Sequence, residues 1–533
     1  MNFTAEWISY DSTNAFSALS IDYLHQHPSL QPFYKHTPDL KGISKAIGER
    51  KAFHTKRDTL TSVIKKQYEG ITLSEKLKSN IEKLVAPNTF TVCTAHQPNL
   101  FTGYLYFIYK IVHAIKLADE LNTAFPQSYF VPVYYMGSED NDLEELNHIY
   151  LNGDKLVWET GQTGAVGRMD TKGLELLIAR IEGELGVLED GKNLVDLLKS
   201  CYTGSDTVQE ATLRFVNSLF GSYGLMVLIA DNAALKKEMT AVFEDDLFRH
   251  TPAALVQQTA KQLAGQYHAQ VNPRDVNLFY MNGNIRDRII KSGEQFIVNN
   301  TGISFSAAAM LDELQRYPER FSPNVVLRGL YQETILPNVA FIGGGSEIAY
   351  WLELKDMFVY YNVPYPVLIQ RNSFLIINKK MGQLVHKLDI PMEALFRDES
   401  QLLKDIVKAR SSLQLSLEKE MQQLSGLYDH IRAVARPVDT TLMQHINALE
   451  VKALKALRNL EKKMLRAEKN KHTVLSTQLH TLKSGLFPNN TLQERVENIL
   501  PYYALYGQSF IDMLYRFSPA LGEKFGILLS HDL

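Results

Sequence analysis

The sequence predicts an α/β protein built on a doubly wound parallel sheet, with a long C-terminal helical hairpin attached. Two observations carry this. First, "FTVC" (90–93), "SYFVPVYYM" (128–136), "LMVLIAD" (225–231), "NVAFIG" (338–343) and "PVLIQ" (366–370) are short apolar runs rich in β-branched or aromatic residues. Several lead straight into a turn and an amphipathic helix, the pattern of βα units. Second, Ile446, Ala453, Leu460, Ala467 and Val474 recur every seven residues. A companion stripe runs from Leu449 and Ala456 to Leu457 and Met464, and Leu417, Met421, Leu424, Tyr428 and Ile431 follow four-three spacing. Those repeats predict antiparallel helices over 399–434 and 438–484, broken around Pro437.

The elements divide the chain in three. Residues 1–89 read as a mainly helical segment packing on the core, with Ser74 as an N-cap. Residues 90–394 form the sheet-bearing core, interrupted by insertions at about 150–222 and 232–335. The second insertion contains a β-meander at 275–304, whose Asn282-Gly283 and Ser292-Gly293 pairs fit hairpin turns. Residues 395–533 hold the helical hairpin and a C-terminal helix. A helix of 45 residues, at about 1.5 Å per residue, outreaches one globular core, so a second copy of the chain is the expected partner of the arm.

Composition narrows the function classes. The 533 residues are 45% hydrophobic and 22% charged, with formal net charge −3. That balance gives no global attraction to nucleic acid or anionic membranes. Eight Lys/Arg against two Glu over 452–471 have no aromatics between them, so they read as a solvated helix face. Two cysteines, Cys93 and Cys201, supply neither a disulfide framework nor a Cys-rich zinc site. Cys93-x-x-His96 is half a zinc motif without its second half, so no metal is expected. The N-terminus carries no signal pattern and no apolar run is long enough to span a bilayer. A cytoplasmic location is expected.

Three strand-to-helix turns carry the candidate chemistry, because open α/β sheets bind ligands beyond the carboxyl ends of their strands and helix N-termini there favour anions. In the first, His96, Gln97, Asn99 and Thr102 leave the strand, Gly103 permits close backbone approach, and Tyr106 and Lys110 follow one and two helical turns later. In the second, "VYYMGSEDNDLEELN" (133–147), Glu139 and Asp140 lie nearest the strand end. They suit an amine or sugar hydroxyls, although acidic residues at a helix N-terminus also follow from the macrodipole alone. The third, "VAFIGGGSEIAYWLELKDMF" (339–358), opens a helix with Gly343, Gly344, Gly345, Ser346 and Glu347, whose amides could cradle a carboxylate or phosphate. Tyr350 stands one turn on. Upstream, Arg328, Gln332 and Glu333 cluster on a helix, and Arg371 ends the next strand; either arginine could grip an anion or make a structural salt bridge. Neither G-x-G-x-x-G nor a P-loop occurs.

The blocks "HQPNLFTGYLYFIYKIVHAIKLA", "VPVYYMGSEDNDLEELN", "FSPNVVLRGLYQETILPNVAFIGGGSEIAYWLELKDMF" and "LFPNNTLQERVENIL" resemble, in order, the bacillithiol biosynthesis cysteine-adding enzymes. The resemblance covers essentially the whole chain. It implies a Rossmann-like core resembling class I aminoacyl-tRNA synthetases, a dimer through the C-terminal coiled coil, and a ligase that joins cysteine to the amine of glucosaminyl-malate. This chain departs from a family T-G-Q-Q in reading Thr94-Ala95-His96-Gln97, and it has neither H-x-G-H nor K-M-S-K-S. Amide formation calls for an activated carboxyl, so ATP or another nucleotide, with its Mg, is the expected cofactor. On this reading His96, Asn99, Thr102 and the Gly343–Gly345 amides meet the anion and oxyanion. Glu139 or Asp140 holds or deprotonates the amine, and Arg328 and Arg371 meet malate carboxylates or phosphate. Catalytic candidates are Glu139, Asp140, His96 and Lys110; the binding candidates are Gln97, Asn99, Thr102, Gly103, Tyr106, Arg328, Gln332, Glu333, Gly343–Gly345, Glu347, Tyr350 and Arg371. The other classes are a related amide ligase or nucleotidyl-transfer enzyme with another amine, and a non-catalytic coiled-coil scaffold.

Overall fold

The computed structural model describes residues 2–411, 414–471 and 473–532. Its centre is a five-stranded sheet of β1 (Thr89–His96), β2 (Tyr129–Met136), β3 (Met226–Ile229), β4 (Asn338–Gly343) and β5 (Val367–Gln370). All neighbours are parallel and the spatial order is β3-β2-β1-β4-β5. The strands are the five apolar runs of the sequence, buried on both faces, as a sheet covered by helices on either side requires. The chain winds outward from β1 through β2 to β3, then returns to the other side of β1 for β4. Strand order therefore reverses between β1 and β4, and a crevice opens beyond their carboxyl ends.

Three helices frame that crevice: α1 (Leu105–Ala124) after β1, α2 (Val325–Ile335) before β4, and α3 (Gly345–Leu352) after it. The β2–β3 and β3–β4 connections are the long ones. The latter carries a five-stranded antiparallel sheet of Leu278–Asn282, Ile285–Ser292, Gln295–Val298, Ser304–Ser306 and Phe321–Pro323. Gly283 and Gly293 turn its hairpins in the left-handed region, at φ 57° and 58°.

The termini differ from the helical expectation. Phe3–Ser9 is a strand paired antiparallel with Lys524–Ser530, which runs parallel to Phe374–Ile377. This small sheet joins chain ends more than 500 residues apart, a pairing that local periodicity cannot encode. The rest of the N-terminal segment is helical, and Ser74 accepts from the Leu77 amide at 3.1 Å. The first stretch of the arm divides into Glu399–Arg410 and Glu418–Ala435, and its second is helical over Leu442–Lys471 and Thr473–Leu486, with His472 outside the described residues. The paired helices are tied by Arg432 to Glu450 at 2.6 Å. Leu427, Val434, Leu449 and Leu460 stay exposed, whereas Leu475, Leu479, Leu482 and Leu486 bury against the terminal sheet.

Candidate functional site

The crevice holds a cleft of about 710 Å³. Twelve of the sequence candidates line it: His96, Gln97, Tyr106, Lys110, Glu139, Asp140, Arg328, Gly344, Gly345, Glu347, Tyr350 and Arg371. Six do not: Asn99, Thr102, Gly103, Gln332, Glu333 and Gly343.

At the β1 end, the ring of His96 stacks on Phe107 at 5.1 Å and meets Tyr106 edge-on at 5.4 Å. Its Nε2 is buried without a hydrogen-bond partner among the described residues. Burial lowers its pKa well below the ordinary histidine value, and Lys110, Arg371 and Arg328 add repulsion. His96 is thus a neutral imidazole, suited to hydrogen bonding but not to carrying charge. Lys110, on the inward face of α1, donates to the Ala95 carbonyl at 2.9 Å and pairs with Glu347. Burial lowers its pKa, against the pull of Glu347.

Glu347 also accepts from the Gly344 amide at 2.8 Å. One of the three amides expected to cradle an anion is therefore capped by the helix's own carboxylate, and Gly343 closes β4 outside the cleft. Gly345 is glycine for space: a Cβ there would stand 2.3 Å from Ser20 Oγ, on the N-terminal helix Ala18–Leu24. Gly345→Ala should cost about 1–3 kcal/mol by overpacking, read by denaturant unfolding. Adding Ser20→Ala should recover most of it.

The two arginines differ. Arg371 reaches both oxygens of buried Glu494, at 2.7 and 3.0 Å, and Ser373 Oγ at 2.9 Å. Burial opposes its charge, but Glu494 outweighs burial and raises its pKa. Its fork is committed to the protein. Arg328 instead donates to the hydroxyl of Tyr350 and to Gln332 Oε1 at 3.3 Å, both neutral groups. Among the described residues it has no carboxylate in ion-pair contact, so its charge is left for an anion in the cleft.

The opposite wall is acidic. Glu139 follows β2, accepts from Ser322 Oγ at 3.1 Å and pairs with Lys236. Asp140 accepts from Gln97 Nε2 at 3.2 Å. Asp231, beyond the end of β3, joins them in the lining. It accepts from Arg168 Nε and an Nη at 2.6 and 2.8 Å and from Lys236 at 3.2 Å. Arg286 reaches in from the antiparallel sheet, stacked on Phe279 at 4.0 Å.

The six candidates outside the cleft lie in the surrounding scaffold, where Asn99 Oδ1 and Thr102 Oγ1 are buried without a hydrogen-bond partner among the described residues. Phe101, Thr102 and Gly103 all lie in the left-handed region, at φ 49°, 72° and 63°. Two consecutive non-glycine residues there cost about 1–3 kcal/mol each, and buried partners hold them. Tyr202 OH accepts from the Phe101 amide at 3.0 Å, and Asn498 donates to the Phe101 carbonyl at 3.1 Å. A Cβ on Gly103 would stand 2.7 Å from that of Asn99. Glu333 lies under the sheet in an ion pair with Arg50 at 2.7 Å, with Gln332 and Asn338 on its other oxygen at 2.9 and 2.7 Å.

Asp231 was detectable, since it ends a strand as the other candidates do. Lys236 follows Asp231 by five residues, on a short helix and not at a strand end, and Arg168, Arg286 and Glu494 come from distant segments; none carried a comparable local signal.

Matches with known proteins agree with this architecture. Residues 3–372 match the family model "Bacillithiol biosynthesis BshC, N-terminal Rossmann-like domain", and 374–529 match "Bacillithiol biosynthesis BshC, C-terminal coiled-coil domain". Proteins named "Putative cysteine ligase BshC" from Flavobacterium johnsoniae and Cytophaga hutchinsonii are 39% and 40% identical, over 98% and 96% of this chain and 99% and 97% of theirs. A solved chain from Campylobacter jejuni, described as a "putative arginyl t-RNA synthetase", covers 84% of this chain and 100% of its own at 10% identity. Its TM-score of 0.22 is too low to establish a shared fold. With both models matched in sequence and the Rossmann-like strand order in place, the chain belongs to the bacillithiol biosynthesis BshC family.

Proposed function

We propose that this chain is an amide-forming ligase that joins cysteine to the amine of glucosaminyl-malate, the last step of bacillithiol synthesis. The observation that carries the reading is the polarity of the cleft: an uncommitted Arg328 with Lys110 on one wall, and Glu139, Asp140 and Asp231 on the other. Both substrates of such a ligase bring an ammonium and carboxylates, and the sugar substrate adds hydroxyls. The family relatives are named cysteine ligases, in keeping with this division.

A carboxylate and an amine do not condense readily in water, so the cysteine carboxyl must be activated. ATP is the proposed co-substrate, supplying a leaving group on that carboxyl. The donors present fit an anionic group: Arg328 lacks a carboxylate partner among the described residues, and the Gly345 and Ser346 end of α3 lines the same cleft. Any Mg is taken to arrive on the nucleotide. Neutral His96, with its partnerless Nε2, is placed to hydrogen-bond an oxyanion without adding charge. Glu139 accepts the proton that the attacking nitrogen must lose.

The exposed apolar positions Leu427, Val434, Leu449 and Leu460 support pairing of the arm with a second copy. Two buried free cysteines suit a reducing cytoplasm. Among the described residues no helix is long and apolar enough to cross a membrane.

Purified protein given cysteine, glucosaminyl-malate and ATP is expected to release bacillithiol and AMP in equal amounts. Product without nucleotide turnover would overturn activation of the carboxyl by ATP. No product from these substrates would overturn the reading itself.

A further inference from the structure

Glu139 and Asp231 face the same cleft but sit in different surroundings. Lys236 lies between them, fully buried, paired with both carboxylates and donating to the Glu319 carbonyl at 3.1 Å. Asp231 has a second cation, the two-point contact of Arg168. Among the described residues Glu139 has only Ser322 Oγ as a further hydrogen-bond partner, with the Arg286 guanidinium near it. The phenols of Tyr135 and Tyr331 also face Glu139, and the latter is spent on the Ala230 carbonyl at 2.7 Å. Asp140, the adjacent residue, is turned toward Gln97.

We propose that Lys236 is a positioning residue that divides the labour of the two carboxylates, Asp231 remaining an anion that attracts the substrate ammonium while Glu139 takes its proton. The transfer is balanced: R–NH3⁺ and the Glu139 carboxylate become R–NH2 and the carboxylic acid, leaving the nitrogen lone pair free to attack. The electrostatics agree. Burial raises the Glu139 pKa, with Asp231 adding to it and Lys236 opposing. Burial also pushes Asp231 upward, but Lys236 and Arg168 outweigh it and bring it to about 2. Paired groups with separated proton affinities are the arrangement that acid–base chemistry uses. The assignment rests on the proposed action of Glu139 on the amine.

The test uses opposite charge changes around one carboxyl. Lys236→Met removes a cation, so the acidic limb of the kcat/KM profile for glucosaminyl-malate should move to higher pH by about 1 unit or more. Asp231→Asn removes an anion, so the limb should move to lower pH by a similar amount, with a raised KM for the amine. Lys236→Arg should leave the limb in place. Merely structural roles would lower activity without shifts of opposite sign. Limbs that stay fixed, or move the same way in both variants, would overturn the proposal. An infrared difference titration of each protein against its Glu139→Gln counterpart follows the Glu139 carboxyl without turnover. It should give the same two displacements, and their absence there would also overturn the proposal. Wild-type protein that makes no product would count against the ligase reading alone, because the infrared titration still decides the roles of Lys236 and Asp231. If Lys236→Met does not fold, Asp231→Asn must still shift downward.

Discussion

Replacing Glu139 by Gln is expected to lower kcat by about 10²–10⁴-fold while leaving the fold and the KM for cysteine nearly unchanged. Gln is isosteric and can still meet Ser322 and Lys236, and Asp231 remains to balance the Lys236 charge. What disappears is the group that removes the proton from the attacking nitrogen. Raising the pH should restore part of the rate, since more of the amine is then already neutral. Steady-state kinetics at two pH values, with a thermal melt to confirm folding, check this. An unchanged kcat would remove Glu139 from the chemistry and leave the bland explanation, acidic residues favoured by a helix N-terminus.

The second large effect lies away from the cleft. Arg50→Met should destabilise the protein by about 3–5 kcal/mol at pH 8, because it leaves Glu333 buried and uncompensated. Burial drives both partners toward their neutral forms: Arg50 falls to about 10 despite Glu333, and Glu333 rises despite Arg50. Without Arg50 the Glu333 carboxyl should rise further. A carboxyl whose folded pKa exceeds its unfolded value loses stability as pH climbs between the two. The variant should therefore be less impaired at pH 5 than at pH 8. Arg50→Met with Glu333→Met should recover much of the loss, since an apolar pair of similar volume often replaces a buried ion pair at little cost. Urea unfolding at both pH values reads this directly. KM for either substrate should not move in variants that remain folded. A variant of full stability but altered KM would return Glu333 to the binding site.

Both predictions turn on a distinction the sequence carries unevenly. The five strands were legible because a parallel sheet buried on both faces must be written as short continuous apolar runs. Their carboxyl ends then pointed to His96, Glu139 and the Gly344–Glu347 turn, which the structure gathers around one crevice. Burial of polar side chains is less legible. Glu333 and Arg328 stand five residues apart on one helix, yet one faces Arg50 under the sheet and the other faces the cleft. Arg371 stayed open between an anion grip and a structural salt bridge because its partner Glu494 is 123 residues away. Thr102 and Gly103 read as ligand contacts in sequence but stand outside the cleft, where positive φ shapes the loop between β1 and α1. The strand at Phe3–Ser9 and its partner at Lys524–Ser530 were not legible because each finds its ladder only at the opposite end of the chain.

The most direct test of the central claim is a crystal structure of the protein soaked with glucosaminyl-malate. Density is expected in the β1–β4 crevice, with the amine nitrogen within hydrogen-bond reach of Glu139 and Asp231 and malate carboxylates toward Arg328 and Lys110. Ligand bound outside this crevice, or bound within it with the amine turned toward Arg328, would contradict the account.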